Sequence, residues 1–133
     1  MASSTPNPIR SYRQLIVWQK AVRLAVEVYA ITRDLPSEER FGLSQQLRRA
    51  AVSIVANIAE GHARQLRRDF AQFLSIARGS VGELDAQLEV ACQAGLLPDG
   101  RTKAADGLSD EISRMLTTLI RKVSRPSTLA PRP

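Results

Sequence analysis

The chain has one cysteine, one histidine and one tryptophan among its 133 residues, and each scarcity removes a class of chemistry. Cys92 alone cannot close an intramolecular disulfide, so packing must hold the fold, and a reducing compartment, the cytoplasm, suits it. Beside Ala91 in an apolar helical pattern, its thiol reads as an inert core group rather than a nucleophile. His62 is the only imidazole. A di-metal carboxylate bundle needs Glu-x-x-His pairs. His62 stands two residues after Glu60, at the wrong spacing, so neither a metal site nor a metal cofactor is expected. One histidine also leaves no Ser/His/acid or Cys/His set for nucleophilic hydrolysis. No Gly-x-x-x-x-Gly-Lys loop is present to hold a nucleotide phosphate. The reading is a chain that is not an enzyme and takes no cofactor.

Long apolar runs are missing too. No window approaches the ~18 consecutive apolar residues that a membrane span requires. Residues 1–10 (MASSTPNPIR) lack the apolar stretch of a signal peptide. Nowhere do four or more β-branched residues alternate with polar ones, so no strand is expected. Lysine is scarce: 16 of the 19 basic residues are arginine. Arginine's planar fork matches phosphate and carboxylate geometry, although a GC-rich genome also favours arginine over lysine. Codon bias does not explain the net charge of +6 or the isoelectric point near 10.4.

What the chain does have is helical periodicity. Four helices are predicted at about 11–34, 38–61, 67–94 and 102–124. A small, polar leader (1–10) precedes them and a proline-rich, disordered tail (125–133) follows. In the first helix Leu15, Trp18, Val22, Ala25 and Tyr29 recur at bundle spacing, and Pro36 ends it. Leu43, Leu47, Ala50, Ile54 and Asn57 continue the pattern in the second helix, with Gly61 placed to end it at positive φ. The third carries Phe70, Phe73, Ala77, Val81, Leu84, Leu88 and Ala91. Its interior glycines, Gly79 and Gly82, each cost about 1 kcal/mol relative to alanine, and their expected return is close approach of a neighbouring helix. Leu108, Ile112, Met115, Leu119 and Val123 line the fourth. Short loops between four such helices make an antiparallel up-down-up-down four-helix bundle of one domain.

One stretch exceeds what a small bundle needs. From Ala50 to Ala59, ten residues pass without a charge. A helix that is small or apolar all round is buried all round, and so short a chain can hardly enclose one. A second copy of the chain is the expected cover. Ala56 then lies in the subunit contact. Asn57 fixes register at a cost in stability, in preference to binding a ligand, with Ser53 and Ser80 as its partners. Glu60, Arg78 and Glu83 read as an ion-pair network within or between subunits, the sharper alternative being a catalytic carboxylate pair.

Several strings resemble a known family. They are Leu15-Ile16-Val17-Trp18-Gln19-Lys20-Ala21, Leu35-Pro36, Gly42-Leu43 and Gln46-Leu47-Arg48-Arg49-Ala50-Ala51. Ser53-Ile54, Ala56-Asn57-Ile58-Ala59-Glu60-Gly61, Phe73-Leu74-Ser75-Ile76-Ala77-Arg78-Gly79-Ser80 and Glu83-Leu84 follow. Together they resemble the bacterial four-helix-bundle proteins encoded in intervening sequences of large-subunit ribosomal RNA genes, over about Tyr12 to Val123. The resemblance implies a homopentameric ring; the residues alone give an oligomer of unstated number, and base rates favour a dimer. Similar proteins include the accessory variability protein of diversity-generating retroelements, a basic pentamer that binds nucleic acid and its reverse transcriptase. The resemblance implies no catalytic residues, and the tail lies outside it.

Charge is unevenly spread. Residues 44–78 hold six arginines against Glu60 and Asp69; residues 79–110 hold Arg101 and Lys103 against six acids. Residues 111–133 return to a basic excess. In an up-down-up-down bundle the second helix ends, the third begins and the fourth ends where the first began. Arg64, Arg67, Arg68, Arg10, Arg13, Arg121, Lys122 and Arg125 therefore gather at one pole. The opposite pole, with the 35–40 and 95–103 turns, is mixed in sign. A ring would repeat the basic pole in every copy, and repeated phosphate contacts raise avidity steeply. The expected partner is nucleic acid, structured RNA favoured, held without sequence readout because no base-reading motif is present. The alternative is a solvated rim that pairs with acids of a neighbour or binds a protein partner and no nucleic acid. Trp18, Tyr29, Phe70 and Phe73 read as core, not as base-stacking platforms.

Overall fold

The structure is a computed structural model and describes residues 11–125. The leader, Arg10 and the tail beyond Arg125 lie outside the described residues. Four helices carry the fold: α1 (Ile16–Arg33), α2 (Leu43–Ala63), α3 (Arg67–Gln93) and α4 (Lys103–Ser124), with 3-10 turns at Tyr12–Gln14 and Ser37–Glu39. No strand occurs among the described residues. Each helix packs on its sequence neighbours and α1 closes on α4, while the diagonal pairs stay apart. This is the antiparallel four-helix bundle expected from the periodicity.

The ends of the helices follow local chemistry. Ser11 accepts a hydrogen bond from the Arg13 amide at 3.1 Å, which makes a short 3-10 turn. Leu15 is then extended, so α1 starts at Ile16 and not at Ser11. Pro36 forbids continuation past the α1 end, as expected. The 3-10 turn at Ser37–Glu39 delays α2 until Leu43. Gly95 takes φ +74° and lets the Leu96 amide reach the Ala91 carbonyl at 3.0 Å, the left-handed cap of α3.

Gly61 does something other than expected. It has no positive φ and does not end α2, which runs on to Ala63. It is buried where α3 crosses. A Cβ there would lie 2.7 Å from Phe73 Cβ and 3.1 Å from Phe70 Cδ1. The missing side chain is what admits the two phenylalanines. Gly79 and Gly82 are the reverse case: a Cβ at either meets nothing within 4 Å. The close approach expected of them is not made among the described residues.

The core is one cluster running through all four helices. In α1 it is formed by Val17, Ala21, Leu24, Val28 and Ile31, not by the stripe read from the sequence. Both stripes have bundle spacing, because α1 is apolar over more than half its circumference. Leu15, Trp18 and Ala25 pack at the flank of the core and Tyr29 is at the surface. Cys92 is likewise exposed and not a core thiol; it falls about 100° round the helix from buried Ala91. In α2, Leu47, Ala50, Ala51, Ile54 and Ile58 are buried, yet Val52 is 44% exposed and Ala56 is exposed as well. A single copy leaves one flank of the uncharged stretch open.

Gly61→Ala should lower the urea midpoint by the equivalent of about 1–3 kcal/mol, because overpacking outweighs the gain in helix propensity. Gly107→Ala, on α4 with open space around it, should raise stability by about 1 kcal/mol. Equal responses from the two variants would contradict the packing described at Gly61.

Candidate nucleic-acid interface

The end of the bundle where α2 stops, α3 starts and α4 stops collects the cations. Its arginines divide by what they touch. Arg67 reaches across from the first turn of α3 and donates from Nη2 to the Lys122 carbonyl (2.9 Å) and from Nε to the Val123 carbonyl (3.1 Å). The last carbonyls of a helix have no intrahelical partners and carry partial negative charge. Arg67 therefore clamps the end of α4 and is only partly available to a ligand. Arg64 pairs with Glu60 at 3.1 Å and lies over the Phe73 ring, 4.9 Å from its centroid. Arg13 leans over Tyr12 and Trp18, at 5.6 and 5.9 Å.

The remaining cations stand without a side-chain partner among the described residues: Arg68, Arg121, the Lys122 ammonium and Arg125. Arg67, Arg68 and Arg125 line an open groove between α3 and α4, together with Gln72, Ser75 and Ser124. Its polar rim consists of donors and hydroxyls with no carboxylate. A groove of that composition suits a phosphate-bearing chain. Arg10 lies outside the described residues.

Ser53, Asn57 and Ser80 come together as read from the sequence. Asn57 Nδ2 donates to the Ser53 carbonyl (2.8 Å) and to Ser53 Oγ (3.0 Å), and Ser53 Oγ lies 2.9 Å from Ser80 Oγ. The cluster pins the register of α2 against α3. Glu60, Arg78 and Glu83 do not form a network within the chain. Glu60 turns to Arg64, Arg78 donates to Thr117 Oγ1 at 3.3 Å, and Glu83 accepts from Gln87 at 3.4 Å. Glu60 stands on α2 and Arg78 and Glu83 on α3, and the three do not meet within one copy; a network among them would run between subunits.

At the opposite pole Arg101 staples the 95–103 turn to α1 through Asp34 and through Glu27 at 2.9 Å. Those two hydrogen bonds, Asp34 first, push the guanidinium pKa further up. On the α3–α4 side, partial burial and then the nearby Asp106 and Asp110 hold the Asp85 carboxyl above the usual carboxylate range. That side of the bundle has negative charge in excess.

A second basic feature escaped the sequence reading. Arg33, Arg40, Arg48 and Arg49 line one cleft at the α1–α2 corner, and no acidic residue lines it. Arg48 is oriented by Thr32 Oγ1 at 2.8 Å and by the Tyr29 ring at 4.6 Å. The signal lay in the sequence as arginines on α1, on α2 and in the turn between them, but only the α1–α2 packing brings the four to one opening. Phe41 beside them is 82% exposed.

Arg67→Gln should loosen the last turn of α4, raising hydrogen exchange at amides 119–124 and costing about 1–3 kcal/mol for the lost charged hydrogen bonds. Arg68→Gln, with no such bonds, should leave both unchanged.

Among the described residues no helix is long and apolar enough to cross a membrane. No curated protein matches the chain. It is similar to a crystallised protein of unknown function from the S23 ribosomal protein family of Bacteroides thetaiotaomicron. The two are 29% identical, with 80% of this chain and 99% of that one covered and a TM-score of 0.74. The model of the 23S rRNA-intervening sequence proteins matches residues 13–118, and with the bundle and its quoted strings in agreement, the chain belongs to that family.

Proposed function

We propose that this protein is a non-catalytic, basic scaffold of the cytoplasm. It assembles as a homo-oligomeric ring, a pentamer by the resemblance, and holds nucleic acid, structured RNA before DNA, through phosphate contacts at one pole. The observation that supports the reading is the set of cations left unspent at that pole: Arg68, Arg121, Lys122 and Arg125 have no carboxylate partner among the described residues. Repetition of the pole around a ring would turn weak contacts into useful avidity. The sequence carries no base-reading motif, so affinity should follow charge and not sequence.

A second reading has an observation of its own. Val26 is 64% exposed, and Phe41 and Val52 are exposed on the same side. Apolar side chains recognise protein surfaces, not phosphates. In that reading the ring binds a protein partner and no nucleic acid.

Fluorescence anisotropy with labelled RNA and DNA, titrated with salt, separates the two. On duplex DNA the affinity should fall with a log–log slope of about −0.9 per phosphate contacted. Reversal of Arg68, Arg121, Lys122 and Arg125 to glutamate should abolish binding while the oligomer mass holds. Absence of binding at low salt in the unmodified protein would defeat the nucleic-acid reading. Ala56→Arg, a bulky charge on the open flank of α2, should shift the mass downward in native mass spectrometry; an unchanged mass would remove that flank from the subunit contact.

A further inference from the structure

The α1–α2 flank carries a groove that the described residues leave empty. Val22, Val26, Tyr29, Val52 and Val55 line it, and it continues into the arginine cleft through Tyr29, Arg33 and Val52. On another side of the molecule α3 turns a second seam outward. Ile76, Gly79, Glu83, Ala86 and Val90 recur at steps of 3, 4, 3 and 4, and all five are exposed. Between Gly79 and Ala94, α3 bears three acids, Glu83, Asp85 and Glu89, and no base.

We propose that the groove receives the outward seam of α3 from a second copy of the chain, so that copies join head to tail. This rests on the assembly reading above and adds which faces meet. Charge complementarity selects the occupant. A two-fold contact would set groove against groove, arginine against arginine, whereas the α3 seam brings carboxylates to Arg33 and Arg49. A head-to-tail contact is also the kind that closes into rings larger than a dimer.

Residue levels agree. Ser53 meets Ser80 and Gln46 meets Gln87 within the chain, at 2.9 and 3.4 Å. In this antiparallel pair, Val52–Ala56 therefore lie level with residues 77–81, and Arg49 lies within one residue of the level of Glu83. A ring whose symmetry axis runs along the bundle keeps every residue at its own level. Gly82 of one copy then arrives opposite Val52 of the next, and Gly79 opposite Val55, where absent side chains let the backbones approach. Glu83 arrives beside Arg49. The two glycines, which meet nothing among the described residues of their own chain, acquire a neighbour.

Cysteine pairing tests this directly. In a Cys92→Ser background, Val52→Cys combined with Gly82→Cys should give, under copper–phenanthroline oxidation, a ladder of covalent multimers beyond the dimer. Each single-cysteine variant should stay uncrosslinked, and a mixture of the two should stop at dimer. Disulfide formation by Val52→Cys alone would overturn the proposal in favour of a two-fold contact. No disulfide in any pairing, from a protein that keeps its oligomer mass, would overturn the choice of faces and leave assembly standing. A monomeric unmodified chain would defeat the assembly reading and this one with it. Charge exchange gives a test independent of cysteines: Arg49→Glu or Glu83→Arg alone should weaken assembly about tenfold or more, and the double exchange should restore it. Failure of the double variant to recover, with helical content intact by circular dichroism, would contradict the pairing.

Discussion

A helix with ten consecutive uncharged residues has no charged face to give to water, and α2 runs such a helix through this bundle. Its inner side is closed by Leu47, Ala50, Ala51, Ile54 and Ile58. Gly61, further along, lets Phe70 and Phe73 lie against it. The Ser53–Asn57–Ser80 cluster then fixes how α3 is threaded along it. Its outer side, through Val52 and Ala56, remains apolar and uncovered. Burial is worth roughly 25 cal/mol per Å² of apolar surface, so an uncovered stripe continuous with the groove on α1 favours association. The bundle explains the inner side of α2, and the proposed assembly would cover the outer one.

The arginines follow the same division between what the fold uses and what it leaves over. Arg67, Arg64 and Arg101 are engaged with carbonyls, a carboxylate and ring, and two carboxylates respectively. Arg68, Arg121 and Arg125 are not. Net charge alone cannot separate these groups, yet only the second can neutralise phosphates at no structural cost. Surplus cations at one end and acids along α3 and α4 give the subunit a polarity that suits both a head-to-tail assembly and a polyanion bound at one pole.

Much of this was legible in the residues. The number of helices, their order and their approximate bounds follow from period and from punctuation at Pro36 and Gly95. The Ser53–Asn57 contact was readable from spacing, because residues one turn apart share a face; Ser80, on another helix, could be named as a partner but not placed by spacing. Other features were not. Two stripes in α1 have the same period, and nothing local decides which one faces inward. Gly61 looks like a helix terminator until the phenylalanines of α3 are set against it. Arg67 looks like a surface cation until the end of α4 is found one side chain away. Each error concerns a partner distant in sequence, and periodicity carries no information about such partners. The α1–α2 arginine cleft escaped for the same reason.

The central claim is that the outer flank of α2 is sealed by another copy. Multi-angle light scattering of the unmodified protein at micromolar concentration tests it most directly. The account predicts a single species at a whole-number multiple of the 14.6 kDa chain mass, larger than a dimer. A monodisperse species at the chain mass itself would contradict it.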